Sequence, residues 1–228
     1  MARFMAAMLG LMAIALAPAT FAAQATWKPG THYTVLPQAQ RTTVPAGKVE
    51  VLEVFSYGCP GCNGFQPVIE KLKGSLAQNA QMAYLHASFN ESESWPLFQR
   101  AYITAQALGI SEKTHQAMYD AIWKTGELAV VDNATRSLKK PQPTLNDVAR
   151  CYERLTGVKT SALLAAASSF GVEAKMRASD AQIGAMMVPS TPCLVVNGKY
   201  RVNMESLKSI DELVQLVNYL VTTESTKG

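Results

Sequence analysis

Two cysteines three positions apart, Cys59 and Cys62, with Pro60 and Gly61 between them, are the residues of this chain whose type and spacing can do chemistry. Thiols at this spacing can close a small disulfide ring. A ring within four residues is strained, whereas structural disulfides usually close longer loops, so the pair reads as redox-active rather than as a staple. An apolar run ends just before Cys59, and residues 63–76 carry apolar side chains at helical spacing. The first sulfur therefore falls where a helix N-terminus presents free amides, a setting that stabilises a thiolate. Cys59 is the expected nucleophile, with its sulfur exposed at the mouth. Cys62 falls one turn into the helix and is expected to be buried. Lowering a thiol pKa by about 3 units takes roughly 4 kcal/mol, equivalent to about 90 mV for a two-electron couple. A helix terminus gives about 0.3–2 kcal/mol. Local hydrogen bonds must supply the rest, and Gly61 has no side chain to offer one.

The elements that hold this pair follow from periodicity. Residues 49–56 are rich in Val, Leu and Phe and too short for a helix before Gly58, so they form a strand. Residues 60–76 form a helix despite Pro67, and residues 81–89 a second strand. Residues 33–36 are a candidate edge strand. Between 96 and 184 the pattern changes to helices, over 96–108, 111–123, 145–155, 161–170 and 172–187, with Thr144 and Asp147 as a capping pair for the third. Residues 125–143 read as a long connection. Strands return around Asn197-Gly198, a dipeptide that supplies the two positive φ angles of a tight hairpin turn, and residues 204–221 form an amphipathic closing helix. The order predicts one α/β sheet unit, residues 26–95 and 185–228, interrupted by a helical insert, residues 96–184.

The N-terminus speaks to compartment. Arg3 precedes an apolar run and then a stretch of small residues, the pattern of a secretory signal peptide over 1–25. Both Thr20-Phe21-Ala22 and Ala23-Gln24-Ala25 fit a cleavage site. A cleaved leader puts the protein in an oxidising, extracytoplasmic space. The formal charge of +4 falls by one with Arg3, too little to suggest nucleic acid. Cys151 and Cys193 make no second Cys-x-x-Cys, and His32, His86 and His115 are scattered, so no metal site is expected and no cofactor either.

The stretch Val51-Leu52-Glu53-Val54-Phe55-Ser56-Tyr57-Gly58-Cys59-Pro60-Gly61-Cys62, with Thr191-Pro192 shortly before Val195-Val196-Asn197-Gly198-Lys199-Tyr200, resembles the DsbA family of periplasmic thiol:disulfide oxidoreductases. The resemblance implies a thioredoxin fold with an inserted α-helical domain. It implies that Pro192 is a cis-proline beside the disulfide, with Pro189 as a rival, and that Thr191 offers backbone hydrogen bonds to a bound peptide. It also makes Glu53, a charge inside an apolar strand, a buried acid that aids proton transfer at the inner cysteine; the alternative is a glutamate on an exposed sheet face. The family most often has His before the second cysteine, where this chain has Gly61, so Pro60-Gly61 sets the redox strength.

Cys151 and Cys193 are left over, and in an oxidising space such cysteines usually pair. A bridge between them would close about forty residues and contribute roughly 3–4 kcal/mol; the alternative is a redox-active Cys193 near Cys59. Tyr57, Phe65, Trp95, Met186 and Met187 line an apolar substrate groove or fill the core, and His115 reads as a surface histidine. The expected function is a periplasmic oxidase that donates disulfides to unfolded exported proteins with free cysteines. By resemblance it is reoxidised by a membrane protein of DsbB type. It is expected to be monomeric, because no N-terminal dimerisation domain is evident. A reductase or isomerase on the same fold, and a peptide-binding holdase, are the alternatives.

Overall fold

The computed structural model describes residues 26–132 and 134–226; the expected leader, residues 1–25, lies outside them. Strand β2 (Val49–Phe55) is buried at every position, which is why it reads as a continuous apolar run rather than an alternating one. Helix α1 (Pro60–Ser75) follows it, passing through Pro67, and leads to β3 (Ala80–His86), parallel to β2 with Glu53 opposite Tyr84 and Phe55 opposite His86. Strands β4 (Cys193–Val196) and β5 (Tyr200–Val202) form the expected hairpin, and β1 (Tyr33–Val35) closes the other edge, giving the order β1-β5-β4-β2-β3.

The turn residues Asn197 and Gly198 both have positive φ, 51° and 61°. Gly198 is needed for a second reason: a Cβ there would stand 2.2 Å from the Gln40 carbonyl oxygen, because the Gln40 amide bonds to the Gly198 carbonyl at 2.8 Å. Helix α7 (Ile210–Ser225) lays Leu213, Leu216, Val217, Leu220 and Val221 against the sheet. Its Glu224 accepts hydrogen bonds from Asn197, Lys199 and Tyr200, tying the last helix to the hairpin.

Between β3 and β4 run α2 (Trp95–Ala107), α3 (Ser111–Tyr119), α4 (Leu145–Thr156), α5 (Thr160–Ala167) and α6 (Phe170–Ala185). The capping pair forms as expected: the Thr144 hydroxyl accepts from the Asp147 amide, and the Asp147 carboxylate accepts from the Thr144 amide. Two features differ from the periodic reading. The last turn of the expected 111–123 helix widens into a π turn over Asp120–Lys124, closed by the Thr125 amide on the Asp120 carbonyl. The connection after it is not merely a solvated loop, since Leu128, Ala129 and Val130 are buried. The two faces of β2 serve different cores. Val51 and Phe55 face α1, α7 and the helical stretch, while Leu52 and Val54 pack with Ile183 of α6 and with Met186 just past its end. Glu53 shares the first face, one residue out of phase with the second.

Candidate active site

Cys59 is the N-cap of α1, in extended backbone geometry, and Pro60 opens the helix where a missing N–H costs nothing. The Cys62 amide donates to Cys59 Sγ at 3.4 Å. Both thiols are reduced. Cys62 is wholly covered, and Cys59 is only 6 % exposed. The sulfur expected at the mouth is thus mostly enclosed. The hydrogen bond from the Cys62 thiol pulls the Cys59 pKa down to about 6, overcoming the opposing effect of burial; the Thr191 side chain and the amides of Cys62 and Gly61 add to it. Burial pushes the Cys62 pKa far up, reinforced by its bond to Cys59. One sulfur is a stable anion at neutral pH and its neighbour a firm thiol. The donors come from Cys62 and Thr191, together with backbone amides, and not from a side chain of the dipeptide. That answers how a chain with Gly61 can stabilise the thiolate.

The Thr191–Pro192 peptide is cis, while Pro189 is not. A Cβ placed on Gly61 would lie 3.4 Å from Pro192 Cδ, 3.6 Å from Cys59 Sγ and 3.8 Å from the Thr191 carbonyl oxygen, so this proline loop rests directly on the dipeptide. As a thiol, Cys59 donates to the Thr191 carbonyl at 3.4 Å. The Thr191 hydroxyl is buried with no partner at hydrogen-bond distance, which leaves it able to turn toward the ionised sulfur.

Glu53 lies fully buried in the middle of β2, and both of its carboxylate oxygens lack a protein partner. This disposes of the exposed-face alternative. Burial raises its pKa to about 8, with Lys73 opposing and Cys59 contributing, so it is protonated at neutral pH. Tyr57 and Gly58, the lead-in to Cys59, are held from several sides. The Tyr57 amide donates to His86 Nε2 at 3.0 Å, and His86 Nδ1 stands 2.8 Å from the Ala87 carbonyl. Those two contacts fix a neutral imidazole, and burial holds its pKa near 3.

The comparisons with known proteins agree with this geometry. A family model described as Thioredoxin matches residues 44–218. The thiol:disulfide interchange protein DsbA of Azotobacter vinelandii is 31% identical over 216 residues, 95% of this chain and 90% of that protein. Its counterpart in Burkholderia cepacia is 30% identical over 210 residues, covering 92% and 90%. The crystal structure of the oxidoreductase DsbA from Xylella fastidiosa superposes with a TM-score of 0.72 at 28% identity, over 87% of this chain and 98% of that one. The chain belongs to the DsbA family. It is a thiol:disulfide oxidoreductase on a thioredoxin-like fold.

Several contacts of this DsbA-family site carry no sequence signal. His115 is not a surface residue: its Nδ1 lies 3.1 Å from the Tyr57 hydroxyl, among the rings of Phe55, Tyr84 and Tyr119. Trp123 donates to the Tyr57 carbonyl at 2.8 Å. Trp95 packs so closely on Gly58 that a Cβ there would come within 2.7 Å of its indole nitrogen. The helical stretch therefore grips the catalytic loop from above. Of the residues considered for a substrate groove, Tyr57, Trp95 and Met186 are core, Phe65 is half-buried, and Met187 is exposed.

The expected Cys151–Cys193 bridge is absent, and both thiols are free. Cys151 is sealed in the core of the helical stretch beside Tyr152 and Val148, whereas Cys193 belongs to the core on the α6 side of the sheet with Val54 and Ile183. Pairing by compartment alone ignores which core each side chain faces. Burial raises the pKa of both, so neither is a ready nucleophile.

Proposed function

We propose that this protein is a periplasmic oxidase that donates disulfides to newly exported proteins, with Cys59 as the attacked sulfur. The observation that carries the reading is the opposition of the two thiols, one lowered to about 6 and the other raised. A substrate thiolate attacks Cys59 Sγ of the disulfide. The Cys59–Cys62 bond breaks, and its electron pair leaves on Cys62, which takes a proton from the protonated Glu53 carboxyl. A second substrate thiolate attacks the substrate sulfur of the mixed disulfide and expels Cys59, which departs easily because its thiolate is stable. The same stability makes the reduced form favourable and the disulfide a strong oxidant. Thr191 and Pro192 offer the client its backbone contacts beside the sulfur.

In this reading residues 1–25 are a cleaved leader, residues 26–95 and 185–228 form the catalytic unit, and residues 96–184 form an insert that covers it. Among the described residues no helix is long and apolar enough to cross a membrane. A membrane protein of DsbB type restores the disulfide, and the enzyme works as a monomer.

The test is the pH profile of Cys59 alkylation by iodoacetamide, with the redox equilibrium of the pair against glutathione. The expected midpoint is near pH 6, and the expected equilibrium favours the reduced protein. A midpoint near 9 sinks the assignment, and a strongly reducing equilibrium makes the protein a reductase. Peptide binding that survives Cys59→Ser without any disulfide transfer by the native chain would make it a holdase.

A further inference from the structure

The connection between the π turn and α4 contains a hairpin that the disulfide chemistry does not itself use. Two short runs, residues 130–132 and 137–139, lie antiparallel with Val131 opposite Leu138. The Asp132 amide donates to the Ser137 carbonyl at 2.8 Å, and the Lys139 amide to the Val130 carbonyl at 2.8 Å. In an antiparallel pair, successive residues aim their amide and carbonyl to opposite sides. The hairpin bonds run through Val130 and Asp132, so the amide and carbonyl of Val131 point outward. Among the described residues no hydrogen-bond partner reaches them. Val130 and Val131 also line an apolar recess with Ile122, Trp123, Gly58 and Glu93. This recess takes nothing from residues 137–139, so it opens along the unpaired edge. Gly58 directly precedes Cys59. Pro192 and Thr191 border the site at Gly61, and the recess borders it at Gly58, so the two flank the reacting cysteine along the chain. The Glu93 carboxylate has no ion pair among the described residues, and the basic Lys139 and Lys140 line a separate depression.

We propose that the outward edge of Val131 is a docking strand for the client. An extended client segment next to the attacking cysteine pairs with the Val131 backbone, lays an aliphatic side chain in the recess and carries a basic residue to Glu93. This docking strand rests on the oxidase reading, in which Cys59 is the attacked sulfur, and names the part of the client that is recognised. An unfolded client arrives with its own amides and carbonyls free, and adding it to an open edge satisfies both chains at once. An extended chain advances about 3.3 Å per residue, so a client cysteine placed on Cys59 brings the recess beside Gly58 within about three residues. A client held by Thr191 on one flank and Val131 on the other has its thiolate fixed in line with the disulfide. The walls formed by Ile122, Ala129 and Val130 suit an aliphatic side chain, and the unpaired Glu93 favours lysine or arginine over an acid. Val131 and Glu93 are thus specificity residues for the client, remote from the sulfur chemistry.

The experiment uses the oxidised protein and a series of dithiol peptides, each N-methylated at one backbone amide on either side of the attacking cysteine. Every rate is divided by the rate with dithiothreitol, which is too small to reach the hairpin. In the native chain at least one methylation within three residues of the cysteine should lower this ratio about fivefold, the effect of one hydrogen bond. That loss should vanish in Val131→Pro, whose ring closes the edge, while methylations acting at Thr191 lower the ratio equally in both chains. A scan that is the same in both chains overturns the docking strand. Val131→Pro removes no bond of the hairpin, because the Val131 amide makes none. A second measurement leaves Val131 in place and sets lysine or glutamate at each flanking position of the peptide in turn. The native chain should favour lysine about threefold at one position, and Glu93→Lys should reverse the order. Equal rates with both peptides at every position, in both chains, overturn the proposal even if Val131→Pro fails to fold. Concentration-dependent self-association that is lost in Val131→Pro would give the edge to a second copy and overturn the client assignment. A native chain that transfers no disulfide to any peptide sinks the oxidase reading first, whereas transfer with an unaltered scan leaves that reading standing and removes only the docking strand.

Discussion

At residue 61 the backbone passes so close to Cys59 Sγ and Pro192 that any side chain there must lie against the reacting sulfur. With glycine, the thiolate depends on Cys62 and Thr191 for its side-chain hydrogen bonds. Gly61→His adds a donor at that spot, and a Cβ 3.4 Å from Pro192 needs only a slight adjustment. The expected result is a fall of about 1 unit in the Cys59 pKa, worth roughly 1.4 kcal/mol. That corresponds to a redox pair more oxidising by about 30 mV. Both follow from alkylation profiles and glutathione equilibria, and an unchanged pKa would show that donors already saturate the sulfur.

Among the elements, the π turn after α3 has the clearest functional consequence. Trp123 lies within that turn, and its indole N–H is the donor for the carbonyl of Tyr57, two residues before Cys59. Trp123→Phe keeps the apolar bulk and removes the donor, leaving a carbonyl in a covered place unpaired. The expected cost is about 1–3 kcal/mol in urea unfolding, with the midpoint lowered and the slope unchanged. Unfolding indistinguishable from the native chain would mean that this link between the helices and the catalytic loop carries no energy. Periodicity finds α2 to α6 to within a few residues, because each buries one apolar stripe. It cannot see the π turn, which keeps the same residues on nearly the same face.

For the molecule as a whole, the state of four sulfurs decides stability. Oxidised protein, once denatured, should titrate two free thiols, Cys151 and Cys193, and four after reduction; none before reduction would restore the bridge. The reduced protein gains stability from Cys59, whose folded pKa near 6 lies below its ordinary value of 9.0. A depressed folded pKa gives stability that is full above the unfolded value and lost as pH falls through the folded one. At pH 7.5 the gain is about 2 kcal/mol, or roughly 4–8 °C in melting temperature for a chain of this size. The reduced form should therefore melt above the oxidised form at pH 7.5, with the gap closing as the pH drops through 6. A gap constant from pH 8 to 5 would detach the potential from Cys59 ionisation.

The sequence by itself determined what is local. It held the Cys59-Pro60-Gly61-Cys62 ring at a strand-to-helix junction, the Asn197-Gly198 turn, the capping pair of Thr144 and Asp147, and the apolar stripes that separate sheet from helices. These depend on neighbours a few residues away, and chain geometry alone brings them together. Only the tertiary structure decided which groups from distant segments meet at the sulfur. Thr191 over Cys59, Lys73 and Tyr84 around Glu53, His115 against Tyr57, and the separate cores of Cys151 and Cys193 all follow from how helices pack on two faces of one sheet. Side-chain type records that a residue is buried, but not against whom.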